Sequence, residues 1–126
     1  MNLVDSSGWL EFFSDGGNAG VFAEPLENVE ELLVPAICLY EVFKVVLRER
    51  GENDAMQAVA VMEQGKVIDL TPDLALLAVR IGIEHKLPMA DSIIAATAER
   101  YGAVIWTQDE DFVGMPSVRY FPKGKM

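Results

Sequence analysis

The sequence is poor in the residues from which many enzyme sites are built. One cysteine, Cys38, and one histidine, His85, occur in 126 residues. A lone cysteine excludes an internal disulfide and fits a reducing, cytoplasmic setting. Within the apolar run "AICLY" it reads as a buried hydrophobe. His85 lies near a helix end in "IEHKLP" and reads as a solvated residue favoured by the helix dipole. No zinc-type Cys/His spacing, no histidine-activated nucleophile and no glycine-rich phosphate loop can be traced. Long apolar runs are also missing: none reaches the roughly 18 residues needed to span a bilayer. The start, "MNLVDSSGWLEFF", has no basic stretch leading into a long apolar one, so neither a signal peptide nor a membrane association is expected. Positive charge is scarce, with 10 bases against 20 acids and a net charge of −10. That balance excludes a broad basic footprint for duplex DNA and favours a basic partner. It leaves open an enzyme that meets nucleic acid through metal ions, because bound cations reverse the local sign.

Apolar residues make up 51% of the chain and charged ones 24%, the composition of a globular protein. With no repeat, linker or low-complexity segment, residues 1–126 are expected to form a single domain. Short apolar runs alternate with helical patterns. "NLV", "ELLV", "VIDL" and "AVIW" read as strands, with "VRYF" as an edge strand. "GWLEFF" reads as a helical turn, and residues 14–30 as a glycine-rich loop followed by a weak helix broken near Pro25. A helix over Ala36–Arg50 should end at Gly51. The next helix should be capped by Asn53 and stopped by Gly65. Thr71 and Pro72 open another, and Pro88 separates it from the helix "ADSIIAATAERYG". Apolar strands separated by helices predict a three-layer α/β/α sandwich around a mainly parallel sheet. In such sheets ligands bind beyond the carboxyl ends of the strands. Asp5 directly follows "NLV", and Thr107-Gln108-Asp109 directly follow "AVIW".

The candidate site is drawn from acids in four parts of the chain. Asp5 can cap the next helix, and Ser6 can add a hydroxyl ligand or hold Asp5 by a hydrogen bond. Glu41 is the most telling: Ile37 and Val45 lie one turn to either side, so its carboxylate falls on or beside the buried face. A buried carboxylate needs a cation, a metal or a dense hydrogen-bond set; a salt bridge with Lys44 or Arg48 is the plain alternative. Asp91, before "SIIAAT", reads as a helix cap with room for a second role. In "TQDEDF", Asp109 is the first choice for the pocket and Asp111 the second. Converging carboxylates are stable only with protons or cations among them. Oxygen ligands without Cys or His select Mg²⁺, with Mn²⁺ an alternative. Such ions, paired with phosphate, make hydrolysis of phosphodiesters the natural reaction, with Thr107 or Ser6 orienting a carboxylate or the attacking water.

These residues also resemble a family. "NLVDSSGW", "YEVFKV", "ADSIIAATA" and "IWTQDEDF" followed by "VGMPSVRYF" occur in the order of the PIN domain and near its size, and resemble specifically the VapC-type toxins of type II toxin–antitoxin systems. The resemblance implies that Asp5, Glu41, Asp91 and Asp109 form an acidic quartet, with Thr107 as accompanying hydroxyl, Ser6 following the first acid, and Asp111 open as the fourth acid. It implies a Mg²⁺-dependent endoribonuclease, often a homodimer, acting on RNA and held inactive by a cognate antitoxin with a basic or aromatic inhibitory segment. Bases suited to RNA are few, with Lys44, Arg48, Arg50 and Arg80 scattered along the chain and Arg119, Lys123 and Lys125 near its end, and no RNA contact is assigned from them.

Two other readings compete. A receiver-type phosphoacceptor domain has the same size and layers, but expects adjacent acids after its first strand. Here Asp5 is followed by Ser6-Ser7, and Glu41 would have no task. A non-catalytic interaction module would use the acids only to receive a basic peptide, and would be indifferent to metal.

Overall fold

The computed structural model describes residues 1–124; Lys125 lies outside them. Five short strands form one sheet: β1 Asn2–Val4, β2 Leu32–Pro35, β3 Lys66–Ile68, β4 Val104–Thr107 and β5 Val118–Tyr120. Their order is β3-β2-β1-β4-β5, and all four pairings are parallel. The sheet is therefore wholly parallel among the described residues, where "mainly" was expected. Leu3, Val4, Leu32, Leu33, Val34, Ile105 and Trp106 are all buried, because helices cover both faces. Right-handed crossovers put α1 (Ser6–Phe13), α2 (Ala19–Glu27), α3 (Ala36–Arg50) and α4 (Glu52–Met62) on one face. The step from β3 back to β4 puts α5 (Pro72–His85) and α6 (Met89–Tyr101) on the other.

Some helix boundaries follow the expected caps. Thr71 accepts the Leu74 N–H at 3.2 Å, and α5 starts at Pro72. Two expectations need correction. Pro25 does not break the second helix: it is the seventh residue of nine, buried, and removes a single hydrogen bond close to an end that follows two residues later. Asn53 does not cap α4, and the helix stops at Met62 before Gly65 is reached. Gly51, at φ 92°, both ends α3 and begins α4; its N–H donates to the Leu47 carbonyl and its carbonyl accepts the Ala55 N–H. A conformation closed to most side chains makes this hinge, so the helix begins before Asn53.

Close packing fixes the elements that carry the acids. In α6, every residue from Ser92 to Ala98 is buried. Its polar members are satisfied within the helix, Ser92 by the Pro88 carbonyl at 2.9 Å and Thr97 by that of Ile93 at 2.8 Å. Helix α1 sits so close to β1 that a Cβ on Gly8 would lie 2.5 Å from Val4 Cγ1 and 2.9 Å from the Phe22 ring. Both neighbours are fully buried, so neither can yield cheaply. Gly8→Ala is expected to lower stability by about 1–3 kcal/mol. Urea unfolding measures this, and an unchanged midpoint would show that the α1–β1 contact is looser than described.

Candidate functional site

The carboxyl ends of β1 and β4 lie side by side, and the site grows from that adjacency. Asp5 follows β1 and caps α1, its Oδ1 accepting the Gly8 N–H at 3.1 Å. Ser7 Oγ donates to the same oxygen at 2.7 Å, and Thr107 Oγ1 donates to Oδ2 at 2.7 Å. Asp5 is only 2% exposed and Thr107 is fully buried. Thr107 Oγ1 also accepts the Asp109 N–H at 2.8 Å, so one hydroxyl ties the first acid to the loop that carries two others. Its proton is committed to Asp5, which fits the orienting of a carboxylate. Asp109 Oδ1 accepts the Asp111 N–H at 2.9 Å, and the fully buried Phe112 anchors this turn to the core.

Glu41 projects from α3 and is half-buried, beside the buried line Cys38, Val42 and Val46. It accepts a hydrogen bond from Ser6 Oγ at 2.6 Å. The alternative salt bridge is not formed: Arg48 pairs with Glu49, and the Lys44 ammonium lies 5.9 Å from the centre of the Tyr40 ring. Ser6 therefore holds Glu41, whereas holding Asp5 was among its expected roles. Asp5 is held by Ser7, which the sequence reasoning passed over.

Asp91 is not the cap of its helix. Helix α6 begins two residues earlier, at Met89 after Pro88, and Asp91 stands in the first turn without a capping hydrogen bond. Pro88 fixes the entry without donating, and the helix starts directly after it. The carboxylate of Asp91 is thus turned toward the other acids instead of being spent on its own backbone. Oxygens of Asp91, Asp109 and Asp111 lie within 4.8 Å of one another. Asp109 and Asp111, posed as alternatives, are both present in this group. Asp5 and Glu41 stand outside it, yet their charges reach Asp91.

The electrostatics follow from this crowding. Burial, then the negative charges of Asp109, Asp5, Asp111 and Glu41, push the Asp91 carboxyl up to about 7. Burial pushes Asp5 up to about 6 against the opposing hydrogen bonds from Ser7, Thr107 and the Gly8 N–H, with the Asp109 charge adding to the rise. Burial also drives the Cys38 thiol far above its usual range, and Asp5, Glu41 and Asp91 reinforce this, so Cys38 is no nucleophile. The donor set suits a hard divalent cation: carboxylate oxygens alone, close together, and short of positive charge.

A second group missed in the sequence is Gln108. It is 7% exposed between two site residues. Its N–H donates to Ser7 Oγ at 3.3 Å, Nε2 to Glu11 at 3.3 Å, and Oε1 accepts from Asn18 at 3.0 Å. A polar residue directly after a buried strand, flanked by Thr107 and Asp109, was the available signal.

What fold and site define is a parallel α/β protein with a carboxylate pocket at the carboxyl edge of its central strands. The receiver reading fails on topology, since that fold orders its strands 2-1-3-4-5 and this one 3-2-1-4-5. A profile of the PIN domain matches residues 3–117, and the chain belongs to the PIN domain family. The fold is shared with a toxin–antitoxin complex from Klebsiella pneumoniae, at 22% identity over 97% of this chain and 99% of that one, with a TM-score of 0.84. It is similar to VapC20 of Mycobacterium tuberculosis, a sarcin-ricin loop cleaving toxin, at 20% identity over 97% and 100% of the two chains and a TM-score of 0.78. A DNA-bound VapBC from Salmonella typhimurium aligns at 17% identity over 97% and 98%, with a TM-score of 0.74. No curated relative matches the chain in sequence.

The raised carboxyls make stability depend on pH. Between about pH 4 and 7 the folded chain holds protons on Asp5 and Asp91 that the unfolded chain has shed. More protons bound in the folded state means stability falls as pH rises through that window. In EDTA the melting temperature is therefore expected to drop between about pH 5 and pH 8, and Mg²⁺ to restore more of it at the higher pH. Asp91→Asn should flatten both responses. A metal-free melting temperature that rises over this range would refute the crowding.

Proposed function

We propose that the chain is a metal-dependent endoribonuclease of the VapC toxin type. The observation that carries this reading is the meeting of Asp91, Asp109 and Asp111 oxygens within 4.8 Å, beside the buried Asp5 and the Ser6-held Glu41. Asp5, Glu41, Asp91 and Asp109 are the residues assigned to hold Mg²⁺ or Mn²⁺, with Asp111 beside them. The chemistry such an ion supplies is activation of a water and relief of charge on the phosphate oxygens. The chain's own part is to fix the ligands. Ser7, Thr107 and the Gly8 N–H hold Asp5 in one orientation, so little rearrangement remains when charge develops. Thr107 and Ser6 are positioning residues in this scheme, acting through Asp5 and Glu41.

Support for a toxin comes from the likeness to solved toxin–antitoxin proteins, one of them described as cleaving the sarcin-ricin loop. The net charge of −10 suits an antitoxin with a basic inhibitory segment. A hollow of about 590 Å³ between α1 and the α3–α4 hairpin, with Leu10, Phe13, Val46 and Ala58 in its lining, suits the apolar part of such a segment. A homodimer is supported by the outer face of α5, where Leu76, Val79 and Ile83 are 70%, 57% and 76% exposed at helical spacing.

Purified chain should cleave RNA with Mg²⁺ and stop on addition of EDTA. Asp5→Asn or Glu41→Gln should abolish cleavage, and Thr107→Val should lower it about 10- to 100-fold. Cleavage that survives EDTA or Asp5→Asn would refute the reading, and metal-indifferent capture of a basic peptide without cleavage would favour the interaction module. Separately, light scattering should report a dimer that Ile83→Glu converts to monomer; an unchanged mass would remove α5 from the interface.

A further inference from the structure

A second, smaller hollow of about 400 Å³ adjoins the carboxylates, lined by Ser7, Gln108, Asp109, Glu110, Tyr120 and Lys123. It is unlike the acid pocket in two respects. Lys123 is its one cation, exposed and forming no ion pair among the described residues although Asp109 and Glu110 line the same hollow. Tyr120 is 36% exposed and pairs in register with Thr107, so both side chains leave the sheet on the same face.

The placement of Lys123 is built in. The Phe121 N–H donates to the Thr107 carbonyl at 2.9 Å, extending the β4–β5 pairing past Tyr120. Asn18 Nδ2 donates to the Pro122 carbonyl at 3.1 Å and to Gln108 Oε1 at 3.0 Å. Gln108 in turn donates through its backbone to Ser7, which holds Asp5. The segment bearing Lys123 is therefore pinned to the same network that orients the first acid.

A chain of net charge −10 meets a polyanion badly, and ions among the carboxylates offset that only at the reacting phosphate. A neighbouring phosphate needs its own cation, and an unpaired base beside it needs a flat apolar surface. We infer that Tyr120 and Lys123 bind the RNA strand where it enters the carboxylate pocket. The ammonium meets a phosphate next to the one cleaved, and the tyrosine ring stacks on a base. This rests on the ribonuclease reading above.

The test uses a fluorescent, mixed-sequence single-stranded oligoribonucleotide with Mg²⁺, bound to an Asp5→Asn chain so that it stays uncut. Adding Lys123→Ala should weaken binding at low salt and reduce the slope of log affinity against log salt by about 0.7. Tyr120→Ala should weaken binding about 10-fold, and Tyr120→Phe should restore it. In the otherwise unaltered chain, Lys123→Ala should raise KM and leave kcat nearly unchanged. If the parent binds and cleaves RNA but ignores both substitutions, this inference falls alone. If Lys123→Ala changes only the capture of a basic peptide, the hollow is a protein site and the inference falls. A parent that neither binds nor cleaves RNA overturns the ribonuclease reading and this inference with it.

Discussion

Mutual repulsion among carboxylates is the constraint to which the rest of this structure answers. Five acids from four separate stretches of chain act on one another at one edge of the sheet. Left to themselves they would separate, so each has to be held in place. Asp5 is held by three hydrogen bonds in a buried corner, and Glu41 by Ser6. Asp91 is held by no hydrogen bond among the described residues, only by the helix that bears it. That helix is the most deeply buried in the molecule, and its stiffness takes the place of direct contacts at the carboxylate.

Burial of the frame and strain at the rim are therefore two sides of one design. The apolar strands and the alanines of α6 allow close approach, and Gly8 brings α1 onto β1 where a methyl group would not fit. The same closeness dehydrates Asp5 and Asp91 and raises their proton affinity. Packing that stabilises the fold thus creates the electrostatic deficit that a cation can fill.

The architecture was legible because parallel sheets leave a clear mark: apolar runs without alternation, separated by helical patterns. Asp5 and Asp109 were legible for the same reason, standing directly after such runs. Glu41 was legible from its apolar neighbours one turn away. The errors were local. Asp91 looks like a cap in one dimension, and only the position of Pro88 in the fold moves the helix start two residues earlier. Ser7 and Gln108 carry no periodicity: Ser7 holds Asp5 from two positions away, which no spacing rule marks, and the partners of Gln108 lie about 100 positions away. Asn53 lost its role to Gly51, whose positive φ turns the chain before any cap is needed.

The first-turn placement of Asp91 has a consequence for what the pocket can tell apart. A carboxylate spent on capping would answer mainly to its own helix, whereas this one answers to whatever positive charge arrives. A small hydrated ion and the guanidinium of a visiting side chain relieve the same crowding. The pocket cannot sort friend from blocker by sign; it can do so only by the volume left behind. Under the ribonuclease function proposed above, an occupant that leaves room for a phosphate would arm the site and one that fills the room would silence it, with the fold rewarding both alike.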